Sequence, residues 1–222
     1  MPGLFYNIKL IQNLLERRRR KRVDFVLSLV KTFHEMSILD VGCGPNGRSF
    51  EDYINKDYKI TGIDILDENK VRTKHPNFRY LKRDAQDLSV FRDSEFDLAV
   101  SFGMMEHICD HRILNKMYSE INRVSKQWVI VVPWKYAFIE PHFKFPFFQL
   151  LPYEIQIFFI KALNLHNLKE TVKRDKYFIK NQYQWLSSRE WLRIYKNAKC
   201  YVTPHLDTIA IAKSLPMRLT LR

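Results

Sequence analysis

The chain is short of cysteine. Three in 222 residues, Cys43, Cys109 and Cys200, form an odd set with no Cys-x-x-Cys pair and no histidine cluster beside them. That pattern excludes a disulfide framework, argues against a structural zinc and reads as reduced thiols in a cytoplasmic protein. Also missing are the basic, apolar and small-residue series of a secretory leader and any apolar run near the roughly 18 residues that cross a bilayer. There is no internal repeat. Acidic residues are the scarcer charge, 24 against 37 lysines and arginines, which leaves a net +13. The excess is uneven: residues 1–36 carry +5, residues 37–125 carry −2 and residues 126–222 carry +10. This suits an anionic partner such as a phosphorylated substrate, an acidic lipid surface or a nucleic acid, and suits equally a lysine-rich chain with solvated faces.

What is present is enough apolar residue, 46%, to fill the core of one domain with a cap. Residues 4–34 read as one or two helices, from Leu4, Ile8, Ile11 and Leu15 and then the stripe of Val23, Phe25, Val26, Leu27, Leu29, Val30 and Phe33, with the basic run Arg17 to Arg22 between them. From Ser37 short apolar runs alternate with amphipathic stretches: Ser37 to Val41, Tyr58 to Ile63, Phe78 to Leu81, Phe96 to Ser101 and Gln127 to Val132. Between the last two, Ile113, Leu114, Met117, Tyr118, Ile121 and Val124 mark one helix face. After Pro133 the rhythm gives way to about fifty aromatic, basic and proline-punctuated residues. It resumes at Ser187-Ser188-Arg189-Glu190, a capping box opening a helix through Tyr195, followed by strands at Cys200 to Thr203 and Thr208 to Ala212.

Strand and helix in alternation predict an α/β fold: a doubly wound, mostly parallel seven-stranded sheet, Rossmann-like, with an amino-terminal helix and a helical, aromatic cap inserted after strand 5. The expected division of this single domain is a basic helical segment over 1–36, a cofactor-binding core over 37–133, a cap over 134–186, and a return helix with the last strands over 187–222.

In such sheets ligands sit beyond the carboxyl ends of the strands, near the switch in strand order. The first strand there ends in Asp40-Val41-Gly42-Cys43-Gly44-Pro45-Asn46-Gly47. Gly42, Gly44 and Gly47 match the dinucleotide pattern G-x-G-x-x-G, with Asp64 at the distance expected for a ribose contact, so the glycines alone leave two readings open. Asp40 separates them. A carboxylate at the end of a buried strand favours a cationic ligand and would repel a pyrophosphate.

The ordered series Asp40-x-Gly42-x-Gly44, Ile60-Thr61-Gly62-Ile63-Asp64-Ile65, Arg83-Asp84-Ala85, Phe96-Asp97-Leu98-Ala99-Val100-Ser101 and Glu106-His107 resembles the class I S-adenosylmethionine-dependent methyltransferases, in their small-molecule, methyltransferase type 11 group. The resemblance spans Val23 to Pro133 and returns more weakly at the last helix and strand pair. It implies that Asp40, Gly42 and Gly44 surround the methionine part of S-adenosylmethionine, that Asp64 accepts from the ribose hydroxyls, and that Ile65 packs on adenine. Asp84 would take the adenine amino group with Ala85 beside it, and Ser101 and Phe102 would line the methyl end. Asn46 stands where the family usually has a third glycine, with Gly47 next; asparagine tolerates a left-handed turn. The residues also admit plainer roles: Asp64 and Asp84 as turn caps, Asp87 in place of Asp84, and Cys43 as a small buried filler.

In-line transfer from a sulfonium draws much of its rate from positioning. If the acceptor must lose a proton, His107 and His142 are the candidate catalytic residues, each with a structural alternative, and no metal is expected. The aromatic stretch with Trp134, Tyr136, Phe143, Phe145, Phe147, Phe148, Phe158 and Phe159 would roof a pocket for a small-molecule or lipid-like acceptor, or a surface-sugar precursor. Alternatively, with Lys144, Lys161 and Arg17 to Arg22, it would meet an anionic membrane surface. Nucleic acid is a weaker reading, because Ser101-Phe102-Gly103-Met104 is not the Asn/Asp-Pro-Pro-aromatic series of base-amino methyltransferases, although an RNA target at ribose or ring carbon stays open. A cofactor-binding fold without catalysis is the remaining alternative. Oligomeric state is not readable.

Overall fold

The computed structural model describes residues 9–45, 50, 54–73 and 75–213. The expectations placed on Leu4, Ile8, Asn46 and Gly47 lie outside the described residues.

One helix, α1 (Lys9–Ser28), runs through the whole basic stretch. It stops five residues short of the apolar stripe's end because the sheet captures the chain: Gln127 accepts from the Lys31 N–H at 2.8 Å and donates to the Lys31 carbonyl at 3.1 Å. Phe33 is left exposed beyond the helix. The six basic residues are not one solvated face. Arg22 pairs with Asp207 at 3.2 Å and Arg18 approaches it at 3.7 Å, so part of the run docks on the loop between the last two strands.

The predicted runs are strands: β1 (Ser37–Val41), β2 (Lys59–Asp64), β3 (Phe78–Lys82), β4 (Phe96–Phe102), β5 (Ser125–Pro133), β6 (Ala198–Val202) and β7 (Thr208–Lys213). They form one seven-stranded sheet in the order β3-β2-β1-β4-β5-β7-β6. Pairing is parallel from β3 to β5, while β7 lies antiparallel to both β5 and β6. The order reverses between β1 and β4, where a doubly wound sheet opens its ligand crevice. β5 is buried on both faces, as its β-branched run requires. At the opposite end of the sheet Asp97 ties three strands, accepting from the Ser37 N–H at 3.0 Å, the Ser37 hydroxyl at 2.9 Å and Lys126 Nζ at 2.7 Å.

α2 (His111–Val124) turns its apolar stripe, Leu114, Met117, Ile121 and Val124, into one core, together with α6 (Ser188–Ile194). α6 starts at the predicted capping box: the Ser187 hydroxyl accepts from the Glu190 N–H while Glu190 Oε2 accepts from the Ser187 N–H at 2.7 Å. Trp191 and Tyr195 are fully buried and stack at 5.8 Å, with Trp128 and Tyr118 against them. α1 covers the other sheet face, where Val23 and Val26 meet Ile38, Leu98 and Val129.

Residues 134–186 add three short helices, α3 (Tyr153–Leu163), α4 (Lys169–Arg174) and α5 (Phe178–Gln182). They enclose a core of their own. Phe143 and Phe148 stack at 4.0 Å and are buried with Ile157, Ile160, Val172 and Ile179. These two aromatics are therefore interior to the cap and do not roof a pocket. Phe138, Phe147 and Phe158 do reach solvent.

Candidate active site

The crevice is assembled from three strand ends. Past β1, Gly42 and Gly44 take left-handed conformations with φ of 72° and 66°. Gly42 has a second reason to be glycine, since a Cβ there would lie 2.7 Å from Met104 Cγ. The turn is fixed from the neighbouring strand: Ile63 O accepts from the Gly42 N–H at 2.8 Å, and Asp64 Oδ2 accepts from the Gly44 N–H at 3.0 Å. Cys43 is buried against Gly62, as a filler would be. Asp40, 1% exposed, lies beneath the turn. At the end of β2 the Tyr80 hydroxyl is shared between the carbonyls of Asp64 and Leu66, and burial together with nearby Asp64 pushes it up to about 12.

A cavity of ≈ 270 Å³ opens beside this turn. Its rim carries Gly42, Asp64, Ile65, Asp84 and Ala85, and Met104 and Ile108 belong to its apolar wall. This is close to the lower end of the roughly 300–1,000 Å³ typical of small-molecule pockets. Ile65, 71% exposed, is an apolar side chain standing at the mouth. Asp64 and Asp84 also act as turn caps, Asp64 for the Leu66 N–H and Asp84 for the Gln86 N–H, but each carboxylate keeps lone pairs for further donors. Asp87 is turned to a different depression, beside Lys116 and Arg123. Asp40, Gly44, Ser101 and Phe102 do not reach the cavity wall; Ser101 is buried in β4, and Phe102 stacks on Phe50 at 5.4 Å.

β4 leads into a 3-10 turn, Met105–His107, that serves two neighbours. Met104 and Ile108 face the cavity, while Glu106 and His107 face the cap. The cap grips this turn through Gln184. Its N–H donates to the Glu106 carbonyl at 2.9 Å and its side-chain amide to the carbonyls of Ile108, at 2.6 Å, and Met105, at 3.3 Å.

His107 and His142, 35 positions apart in the chain, meet here edge to face with centroids 5.2 Å apart, and Tyr183 packs against both. Neither Glu140 nor Tyr183 stood out in the sequence, and the one available signal was Glu140-Pro141-His142. Glu140 is fully buried: it accepts from His142 Nδ1 at 2.8 Å, Trp185 Nε1 at 3.1 Å and the Phe143 N–H at 2.7 Å. Burial, the largest single influence on His142, opposes its charge, yet Glu106 and Glu140 together outweigh it and raise the imidazole to about 9.

The sequence of residues 39–132 matches the methyltransferase domain family. No protein of curated function matches the chain. Among solved structures it is similar to a SAM-dependent methyltransferase from Aquifex aeolicus, with a TM-score of 0.55, 16% identity, and coverage of 91% of this chain and 95% of that one. It is similar too to the methyltransferase in complex with the Trm112 activator from Haloferax volcanii, TM-score 0.53, 14% identity, 92% and 93% covered. A third is a SAM-dependent methyltransferase from Thermotoga maritima, TM-score 0.52, 15% identity, 94% and 95% covered. Residues 39–132 are thus a methyltransferase domain, and the chain is an enzyme of the class I fold whose cofactor is S-adenosylmethionine.

Proposed function

We propose that this enzyme methylates a small-molecule or lipid-like acceptor, surface-sugar precursors included, held between the turn after β4 and the cap. One observation carries the reading. Met104 and Ile108 wall the cavity at the strand ends, and the same turn is held by the cap through Gln184, so the cofactor cavity and the cap share a single turn. Gly42, Asp64, Ile65, Asp84 and Ala85 are assigned to the cofactor at the rim, with Asp40, Gly44, Ser101 and Phe102 supporting the loop and its methyl end. Left-handed Gly42 lets Met104 close on the turn, and Asp64 and Asp84 offer acceptors to hydroxyl and amino groups. When bound, S-adenosylmethionine supplies an electrophilic methyl group. The chain's own contribution is to hold the nucleophile in line, with His107 and His142 as the groups that meet the acceptor.

A lipid-like acceptor, with peripheral contact to an anionic membrane, is favoured by the cap's outer surface. Phe138 and Phe158, each 61% exposed, and Phe147 and Leu163 are exposed apolar residues of a segment that also carries Lys144 and Lys161. Among the described residues no helix is long and apolar enough to cross a membrane.

Calorimetric titration with S-adenosylhomocysteine tests the donor half: wild type binds, and Asp64→Ala binds on the order of tenfold or more weakly, the loss of about one charge-assisted hydrogen bond. Tighter binding of a nicotinamide dinucleotide would sink it. Transfer from methyl-labelled S-adenosylmethionine to organic-extractable rather than nucleic-acid material tests the acceptor half.

A further inference from the structure

Glu106, His107 and His142 each place one donor atom within 4.8 Å of the others'. From this grouping we infer a binding site for one divalent first-row transition ion, ligated by a Glu106 carboxylate oxygen and the Nε2 atoms of His107 and His142.

The surrounding hydrogen bonds point the same way. The Gln182 carbonyl, 2.9 Å from His107 Nδ1, can only accept, so Nδ1 is the donor and Nε2 is the ring nitrogen left for a ligand. His142 Nδ1 is committed at 2.8 Å to buried Glu140, which leaves its Nε2 turned toward Glu106 at 3.5 Å. A ring nitrogen anchored to a carboxylate or a backbone carbonyl, with the other nitrogen free for a cation, is the usual outer arrangement of metal-binding histidines. Glu106 supplies an independent observation. It is 1% exposed, and neither carboxylate oxygen has a hydrogen-bond partner among the described residues. The cation that faces this carboxylate is the His142 imidazole, but at 3.5 Å it stands farther off than a charge-assisted hydrogen bond, so an ion ligated directly would satisfy Glu106 more closely.

Two imidazoles and one carboxylate suit zinc, iron(II), cobalt(II) or nickel(II) better than magnesium or calcium, which prefer all-oxygen shells. On loading, the ion displaces the proton from His142 Nε2, because only a neutral imidazole nitrogen can ligate. Three protein ligands leave a coordination position open, as at catalytic rather than structural sites. Ion binding does not depend on the methyl-transfer reading. Only its consequence does: at the acceptor face of residues 104–108, the open position would take an oxygen donor of the acceptor, selecting hydroxylated acceptors.

The test is a calorimetric titration of the chelator-treated full chain with zinc alone. The expected result is one ion per chain, with affinity falling by at least about tenfold in each of Glu106→Gln, His107→Ala and His142→Ala and by about 10–100-fold in Glu140→Gln. Wild type that takes up no zinc, or variants that bind as wild type does, overturn the site. Because a buried variant can misfold, cobalt(II) added to wild type decides separately. A visible d–d band without thiolate charge transfer supports nitrogen and oxygen ligands, and a thiolate band assigns the ion to a cysteine and overturns the proposal. S-adenosylhomocysteine binding by the same metal-free protein scores the cofactor reading on its own.

Discussion

The strand-end half of the site and the cap half are built on different principles. In the first, backbone geometry fixes polar groups: three strand ends converge, left-handed Gly42 and Gly44 shape the turn, and Asp64 is held by the Gly44 and Leu66 N–H groups. In the second, side chains organise irregular backbone. Phe143 and Phe148 found a separate core, Gln184 ties it to the turn after β4, and His142 is fixed by Glu140. A sheet tolerates change in its loops because its ladders persist, whereas a cap of three short helices depends on its few buried side chains. The strand ends are therefore expected to be the rigid partner and the cap the adjustable one.

That contrast breaks most visibly with large-to-small changes. Trp191→Ala, in the core shared by α2, α6 and the sheet, should lower global stability by about 3–5 kcal/mol in urea titration. Phe148→Ala removes a comparable volume from the cap core. If the cap is a separate cooperative unit, hydrogen exchange rises across 143–185 while the sheet stays protected. Equal loss of protection in both would show a single cooperative unit. A smaller effect should come from Gln184→Ala, which leaves the Ile108 carbonyl without its side-chain donor and the Met105 carbonyl with the Ile108 N–H alone. It should cost about 1–3 kcal/mol, expressed as looser cap exchange with the sheet unaffected.

The same contrast governs what could be read in advance. Strands β1 to β5 were visible because apolar runs separated by amphipathic ones carry their own period, and Asp40, Asp64 and Asp84 stood at predictable ends. Asp84 is preferred to Asp87 by resemblance alone; in the structure the two face different depressions. Nothing periodic marks Phe143 to Leu151, where buried and exposed residues follow one another irregularly, so buried Phe148 and exposed Phe147 look alike in sequence. The end of α1 was misplaced because Gln127, about 100 positions away, captures Lys31. His107 and His142 were each singled out, but a cluster made by tertiary convergence, with Glu140 behind it, has no local signature.

The smallest predicted effect sharpens the comparison through pH. Burial is the largest single influence on Asp97 and pushes its carboxyl up, but Lys126 and the two Ser37 donors together hold it below the usual carboxylate range. A depressed folded value means that the ionised group stabilises the sheet fully above the unfolded value of about 3.9, and that this contribution is lost as pH falls through the folded value. Asp97→Asn has no such charge to lose. At neutral pH it should be less stable than wild type by about 1 kcal/mol, since it gives up the charge on a half-exposed lysine pair while retaining one acceptor. Urea titrations repeated from pH 7 down to pH 3 should show that deficit shrinking below about pH 4. A deficit that stays constant across the series would mean that Asp97 acts through shape alone, and that acid sensitivity of the sheet half originates elsewhere.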